Sequence, residues 1–314
     1  MSRSWVAGVV RAKALARRRL GPAGARALAA QPGPEAAVTA LAATPYGHDV
    51  HPGQDLGTAQ HAVGAALLWD LRVLAGWLPR GGADVVRLLA GGFEVANVDE
   101  HLARLRGAPA RPPYRLGTLD TAWARLAATT SAAAVAEVLA TSSWRLRGAR
   151  TPREVALGLR LAWADAVITG VPEAAGWARA GAALVVLREV VAEHRRLAPG
   201  TARLATAILG PGLERVLDHG AADLPALRRG LPQDVRWLLD DVESVADLWR
   251  AEVAWVHRVE REGFALLRGS GYDRRPVVGA IAVLAGDAWR VRAALEAAGR
   301  GGTGASLEAF DAVA

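Results

Sequence analysis

The chain has 314 residues, 52% of them hydrophobic and none of them cysteine, and carries a formal net charge of +7. These values exclude a disulfide framework and a thiolate metal site. The longest conspicuous apolar run, Pro276 to Gly286, is well short of the roughly 20 residues that span a membrane.

Alanine dominates the apolar content, Phe and Tyr number three each, and β-branched residues never alternate over long runs, a balance that predicts helix rather than sheet. Eleven tryptophans fill the gaps that small side chains leave between packed helices. The charge and the pI near 10.9 point toward an acidic partner. Lys13 is the sole lysine, however, and arginine beside so much alanine and glycine reads as coding bias. The apolar run before Arg11 is too short for a signal-peptide core, so the expected compartment is the cytoplasm.

In chain order, Arg11 to Ala30 predicts helix, turn, helix, with Gly21-Pro22 interrupting. Gly33-Pro34-Glu35 opens a short helix over Ala36 to Ala43, with Pro and Glu where helix N-termini favour them, and Thr44-Pro45 closes it. From Thr58 to Leu78, the residues Val63, Leu67, Leu71, Leu74 and Leu78 recur at helical spacing. Asp84 to Arg106 repeats that pattern with a break near Gly91-Gly92, and Gly107 to Pro113 is a linker.

Beyond the linker the pattern starts again. Ala36 to Thr44 aligns with Ala133 to Thr141, 97 residues on, each followed by an aromatic, Tyr46 or Trp144. Trp69 to Gly76 aligns with Trp163 to Gly170, 94 residues on, and Val85-Val-Arg-Leu-Leu-Ala resembles Val277-Val-Gly-Ala-Ile-Ala, 192 residues on. The common period predicts three helical units of about 100 residues each, over 1–110, 111–218 and 219–314.

Several constellations invite a chemical reading. His48, Asp49, His51, Asp55 and His61 crowd one stretch, but Pro45, Gly47, Pro52 and Gly53 deny the histidines one helix face, and the second unit has no histidine at the matching place. The stretch reads as a polar joint between helices, with no metal expected. Asp240, Asp241, Glu243 and Asp247 lack a second carboxylate-bearing helix to hold Mg²⁺ with them, and are expected on a solvated helix face balanced by Arg236 and Arg250. Gly299 to Gly304 reads as a helix-ending turn rather than a phosphate cradle. The clusters Arg17-Arg18-Arg19, Arg195-Arg196 and Arg228-Arg229 read as wet faces, without interleaved stacking aromatics. No catalytic, cofactor-binding or metal-binding residue is assigned.

Four segments carry a family resemblance. Arg11-Ala-Lys-Ala-Leu-Ala-Arg-Arg-Arg-Leu20, Glu35 to Tyr46 ending in Ala-Ala-Thr-Pro-Tyr, Leu88 to Asn97, and Tyr272 to Arg292 with its Pro-led helix, acidic Asp287 and terminal arginine resemble the C-type rotor-adapter family of the V-type/A-type rotary ATPases, whose eukaryotic members are designated d. The chain departs from that family at Arg290, where asparagine is usual, and at Ala280, where an aromatic is. The resemblance implies an all-α protein of three related helical-bundle units in a pseudo-threefold, funnel-like arrangement. It implies a non-catalytic adapter that couples the central-stalk subunits to the membrane proteolipid ring during proton or sodium transport, peripheral on the inner face of the membrane, without a cofactor, nucleic acid or a transmembrane segment of its own. The alternative is a basic helical-repeat protein that binds nucleic acid or a regulatory partner.

Overall fold

A computed structural model describes residues 5–218 and 224–312, and these are helical, with no strand among them. The helices in chain order are α1 (Val6–Arg17), α2 (Gly21–Ala29), α3 (Pro34–Ala42), α4 (Leu56–Gly76), α5 (Arg80–Leu89), α6 (Gly91–Leu105), α7 (Trp123–Ala127), α8 (Ala132–Thr141), α9 (Pro152–Gly170), α10 (Ala175–Leu187), α11 (Pro199–Leu209), α12 (Pro211–Asp218), α13 (Leu224–Gly230), α14 (Leu248–Arg268), α15 (Arg274–Gly299) and α16 (Ala305–Asp311).

Local chemistry sets the boundaries. Pro34 and Pro152 sit in the first turns of α3 and α9, where a missing N–H costs nothing. Asp55, Ser131, Thr151 and Asp273 accept hydrogen bonds from the first-turn N–H groups of α4, α8, α9 and α15. The break expected near Gly91-Gly92 falls at Ala90, between α5 and α6. Gly21-Pro22 opens α2 rather than merely separating it from α1. Three of the long helices, α4, α9 and α14, begin at Leu56, Pro152 and Leu248, a constant spacing of 96 residues.

The described residues up to Val86 pack with those from Val256 onward as one compact unit, and those from Arg87 to Trp255 form another. These boundaries differ from the consecutive thirds 1–110, 111–218 and 219–314, the last of which begins within 219–223, outside the described residues. The physical reason lies in where two helices bury their apolar faces. In the first unit, α15 packs against α1, α2, α3 and α4. In the second, α6 packs onto the later helices α7 and α9.

The two cores are built alike. In the first unit Leu28, Val38, Leu41, Ala59 and Val63 meet Val291 and Leu295 of α15. In the second Leu126, Val135, Leu139, Val155 and Leu159 meet Val98 and Leu102 of α6. Burying each such Val or Leu is worth about 1.5–3 kcal/mol. A further cluster in the second unit joins Leu161, Val186, Leu187, Leu213, Leu227, Val235 and Leu238.

Within the first unit the backbones of Gly263 and Gly279 approach so closely that a methyl on Gly279 would sit 2.5 Å from the Gly263 carbonyl oxygen and 2.7 Å from the Leu267 nitrogen. Both are backbone atoms and cannot swing aside. Gly279→Ala should therefore lower the unfolding free energy in a denaturant melt by about 1–3 kcal/mol. Gly76→Ala, where a Cβ meets nothing within 4 Å, should lose nothing.

Candidate functional site

Asp287 is fully buried on α15, where an unpaired carboxylate would cost several kcal/mol. It is satisfied by three donors. The backbone N–H of Leu20 donates to Oδ2 at 3.0 Å, the N–H of Gly21 to Oδ1 at 2.7 Å, and the Tyr46 hydroxyl to Oδ2 at 2.9 Å. Gly21 has a φ of 73°, in the left-handed region that glycine occupies without strain, and this turns its N–H toward the carboxylate. Burial, and next the charge of Asp287, push the Tyr46 phenol well above its ordinary pKa, so the hydroxyl keeps its proton and donates.

Glu94 on α6 does the same in the second unit. It is buried and accepts from Thr121 N–H at 2.7 Å, Ala122 N–H at 2.8 Å and the Trp144 indole Nε1–H at 2.8 Å. In each unit one buried carboxylate thus takes two successive N–H groups, at the start of α2 or just before α7, and one aromatic donor. The aromatic is presented by a matching turn. Thr44 Oγ1 donates to Leu41 O and accepts from Tyr46 N–H, while Ser142 Oγ donates to Leu139 O and accepts from Trp144 N–H.

One turn past each carboxylate the helices diverge. Asn97 donates to Tyr114 O at 2.9 Å and accepts from Tyr114 N–H at 2.6 Å, tying α6 to the extended chain after the linker. At the corresponding place on α15, Arg290 is almost fully buried and makes two bonds to Glu260, of 3.1 and 2.5 Å. The paired geometry offsets the cost of burying the guanidinium. The Arg290 departure noted in the sequence is thus accommodated by a glutamate on α14.

Beside Asp287 and Tyr46 lies a cleft of about 40 Å³, also lined by Arg18, Arg19 and Asp70. Ligand pockets typically hold about 300–1,000 Å³, so this one suits water-sized groups. Burial raises the Asp70 carboxyl above its usual range, against the pull of Arg18 and Arg11.

The histidine-rich stretch is dispersed by the fold. His48 pairs with Asp49 at 2.7 Å and stacks on the ring of Trp69 at 4.5 Å. The His51 backbone N–H donates to Gln54, Asp55 caps α4 through Thr58, and His61 lies within α4. Among the described residues no group of three His, Asp or Glu side chains is placed to hold a metal ion.

The acidic run differs from expectation. Asp240, Asp241 and Glu243 occupy the connection between two 3₁₀ turns, Gln233–Leu239 and Val245–Asp247, and Asp247 ends the second turn, so the run does not form an α-helix face. Asp240 pairs with Arg228 and Asp247 with Arg250, whereas Arg236 donates to the carbonyls of Leu231 and Arg229. Gly299 to Gly304 is a helix-ending turn, with Gly301, Gly302 and Gly304 left-handed and the N–H of Gly302 returned to Ala297 O. Of the basic clusters, Arg19 lies over the Phe264 ring and Arg195 pairs with Glu193.

The Glu94 carboxyl is raised above the ordinary glutamate range by burial, against the pull of Trp144, Thr121 and Ala122. The folded state then binds a proton more tightly than the unfolded one, so this group's contribution is full below the unfolded pKa and declines as pH rises through the folded pKa. Trp144→Phe removes a donor that favours the charged form. It should cost about 1–3 kcal/mol at neutral pH and measurably less at acid pH, read from urea melts of wild type and variant at both.

In comparisons with known proteins, neither a protein-family model nor a curated protein matches the chain.

Proposed function

We propose that this chain is the non-catalytic rotor adapter of a V/A-type ATPase, joining the central stalk to the membrane proteolipid ring. The observation that carries the reading is the recurrence of the carboxylate latch, Asp287 with Leu20, Gly21 and Tyr46, and Glu94 with Thr121, Ala122 and Trp144. Together with the 96-residue spacing of α4, α9 and α14, it supports a thrice-repeated helical module in a pseudo-threefold, funnel-like arrangement. Tyr46, Asn97 and Asp287, which carry part of the family resemblance, all hold such joints together.

The work of such an adapter is mechanical. Torque passes between two neighbours only through a body that deforms less than its interfaces slip, and densely packed helices tied by buried hydrogen bonds transmit strain. No helix among the described residues is long and apolar enough to cross a membrane. On this reading the chain sits on the cytoplasmic face through its partners.

The rival reading, a basic repeat protein for nucleic acid, draws on the +7 charge. Against it, many arginines are engaged within the chain, including Arg26 with Asp311, Arg153 with Glu189, Arg160 with Asp99, and Arg179 with Asp234. Purification of the tagged chain from native membranes discriminates the two. The adapter retains stalk and proteolipid subunits through a moderate-salt wash. Recovery of nucleic acid that is lost steeply with salt through counterion release, or of neither kind of partner, overturns the proposal.

A further inference from the structure

The latch has a third place at which it could occur. Glu94 lies 38 residues after the start of α4 at Leu56, and Asp287 lies 39 after the start of α14 at Leu248. Counting likewise from Pro152, the start of α9, leads to Val190 and Val191. A valine side chain accepts no hydrogen bond, and Val191 is buried among apolar side chains. The nearest carboxylate, Glu189, is turned back to Arg153 of the preceding helix α9.

The donor side is altered as well. The aromatic nearest the place of Tyr46 and Trp144 is Trp237, whose indole N–H donates to Asp234 O within its own 3₁₀ turn at 2.9 Å. The backbone is irregular at this place too. After α10 the helix widens into a π-turn over Arg188–Ala192, and His194 beyond it has a left-handed φ of 49°, a conformation that strains a non-glycine residue.

We propose that this joint, between α10 and the segment of α13 and the Gln233–Leu239 turn, is a compliant hinge built into an otherwise latched fold. Leu187, Val191, Leu227, Val235 and Leu238 pack together there, a solvent-exposed Arg179–Asp234 pair lies beside them, a kind of contact that contributes little, and valine stands where the other two joints carry their buried carboxylate. Apolar packing is non-directional and lets helices slide, whereas a carboxylate gripping two successive N–H groups does not. The helix-packing joint therefore opens locally while its two latched counterparts stay closed. The hinge is argued from the fold alone and stands apart from the adapter reading.

Hydrogen exchange on the full chain tests it, comparing matched helices. The amides of α13 should exchange at least about tenfold faster than those of α3 and α8, because local openings lie at the low end of the stability range. Glu94→Gln and Asp287→Asn should each raise exchange in α8 and α3 respectively toward the α13 rate, without changing α13. Protection of α13 equal to that of α3 and α8 in the wild-type protein overturns the hinge. So does unchanged protection of α8 in Glu94→Gln, since the latch would then not be what separates the joints.

Discussion

A carboxylate taken out of water must find hydrogen-bond donors or be replaced, and this requirement organises the molecule. Asp287 and Glu94 sit at 0% and 1% exposure in helical cores, where each oxygen faces a donor from a segment far away in the chain. Apolar packing alone allows α15 to slide or rotate against α2, α3 and α4. The fixed directions of two successive N–H groups and one aromatic donor select one register. The cores that surround the latches, with Val291 and Leu295 or Val98 and Leu102 beneath them, supply the bulk of the burial, and the latches supply specificity.

Much of this was legible in the sequence because it depends on local pattern. Helix content follows from alanine and from spacings such as Val63, Leu71 and Leu74. The likeness of Ala36–Thr44 to Ala133–Thr141 points to a shared turn but is one residue out of register, since the turn matches Thr44 with Ser142, each bonding back to the leucine carbonyl three residues earlier and presenting an aromatic. The latches were not legible. Their partners lie 27 to 50 residues apart in the second unit and 241 to 267 apart in the first, and nothing local marks Asp287 or Glu94 as buried rather than wet. One signal was present: each acid interrupts an apolar stretch of a long helix. The compact units escaped for a related reason, because a period of about 96 residues indicates repetition but not which neighbour receives each helix.

Charge follows the same rule. A net +7 suggests an acidic partner, yet several arginines are engaged within the fold, Arg290 with Glu260 in a core and Arg160 with Asp99 at its margin. His48 is likewise engaged, against Trp69 and Asp49.

The latch is an energetic unit rather than an incidental contact. A double-mutant cycle between Tyr46→Phe and Asp287→Asn, measured by equilibrium unfolding, tests this most directly. Residues that share one buried hydrogen-bond network should show a coupling of about 0.5–3 kcal/mol. Effects of the two substitutions that simply add would contradict it.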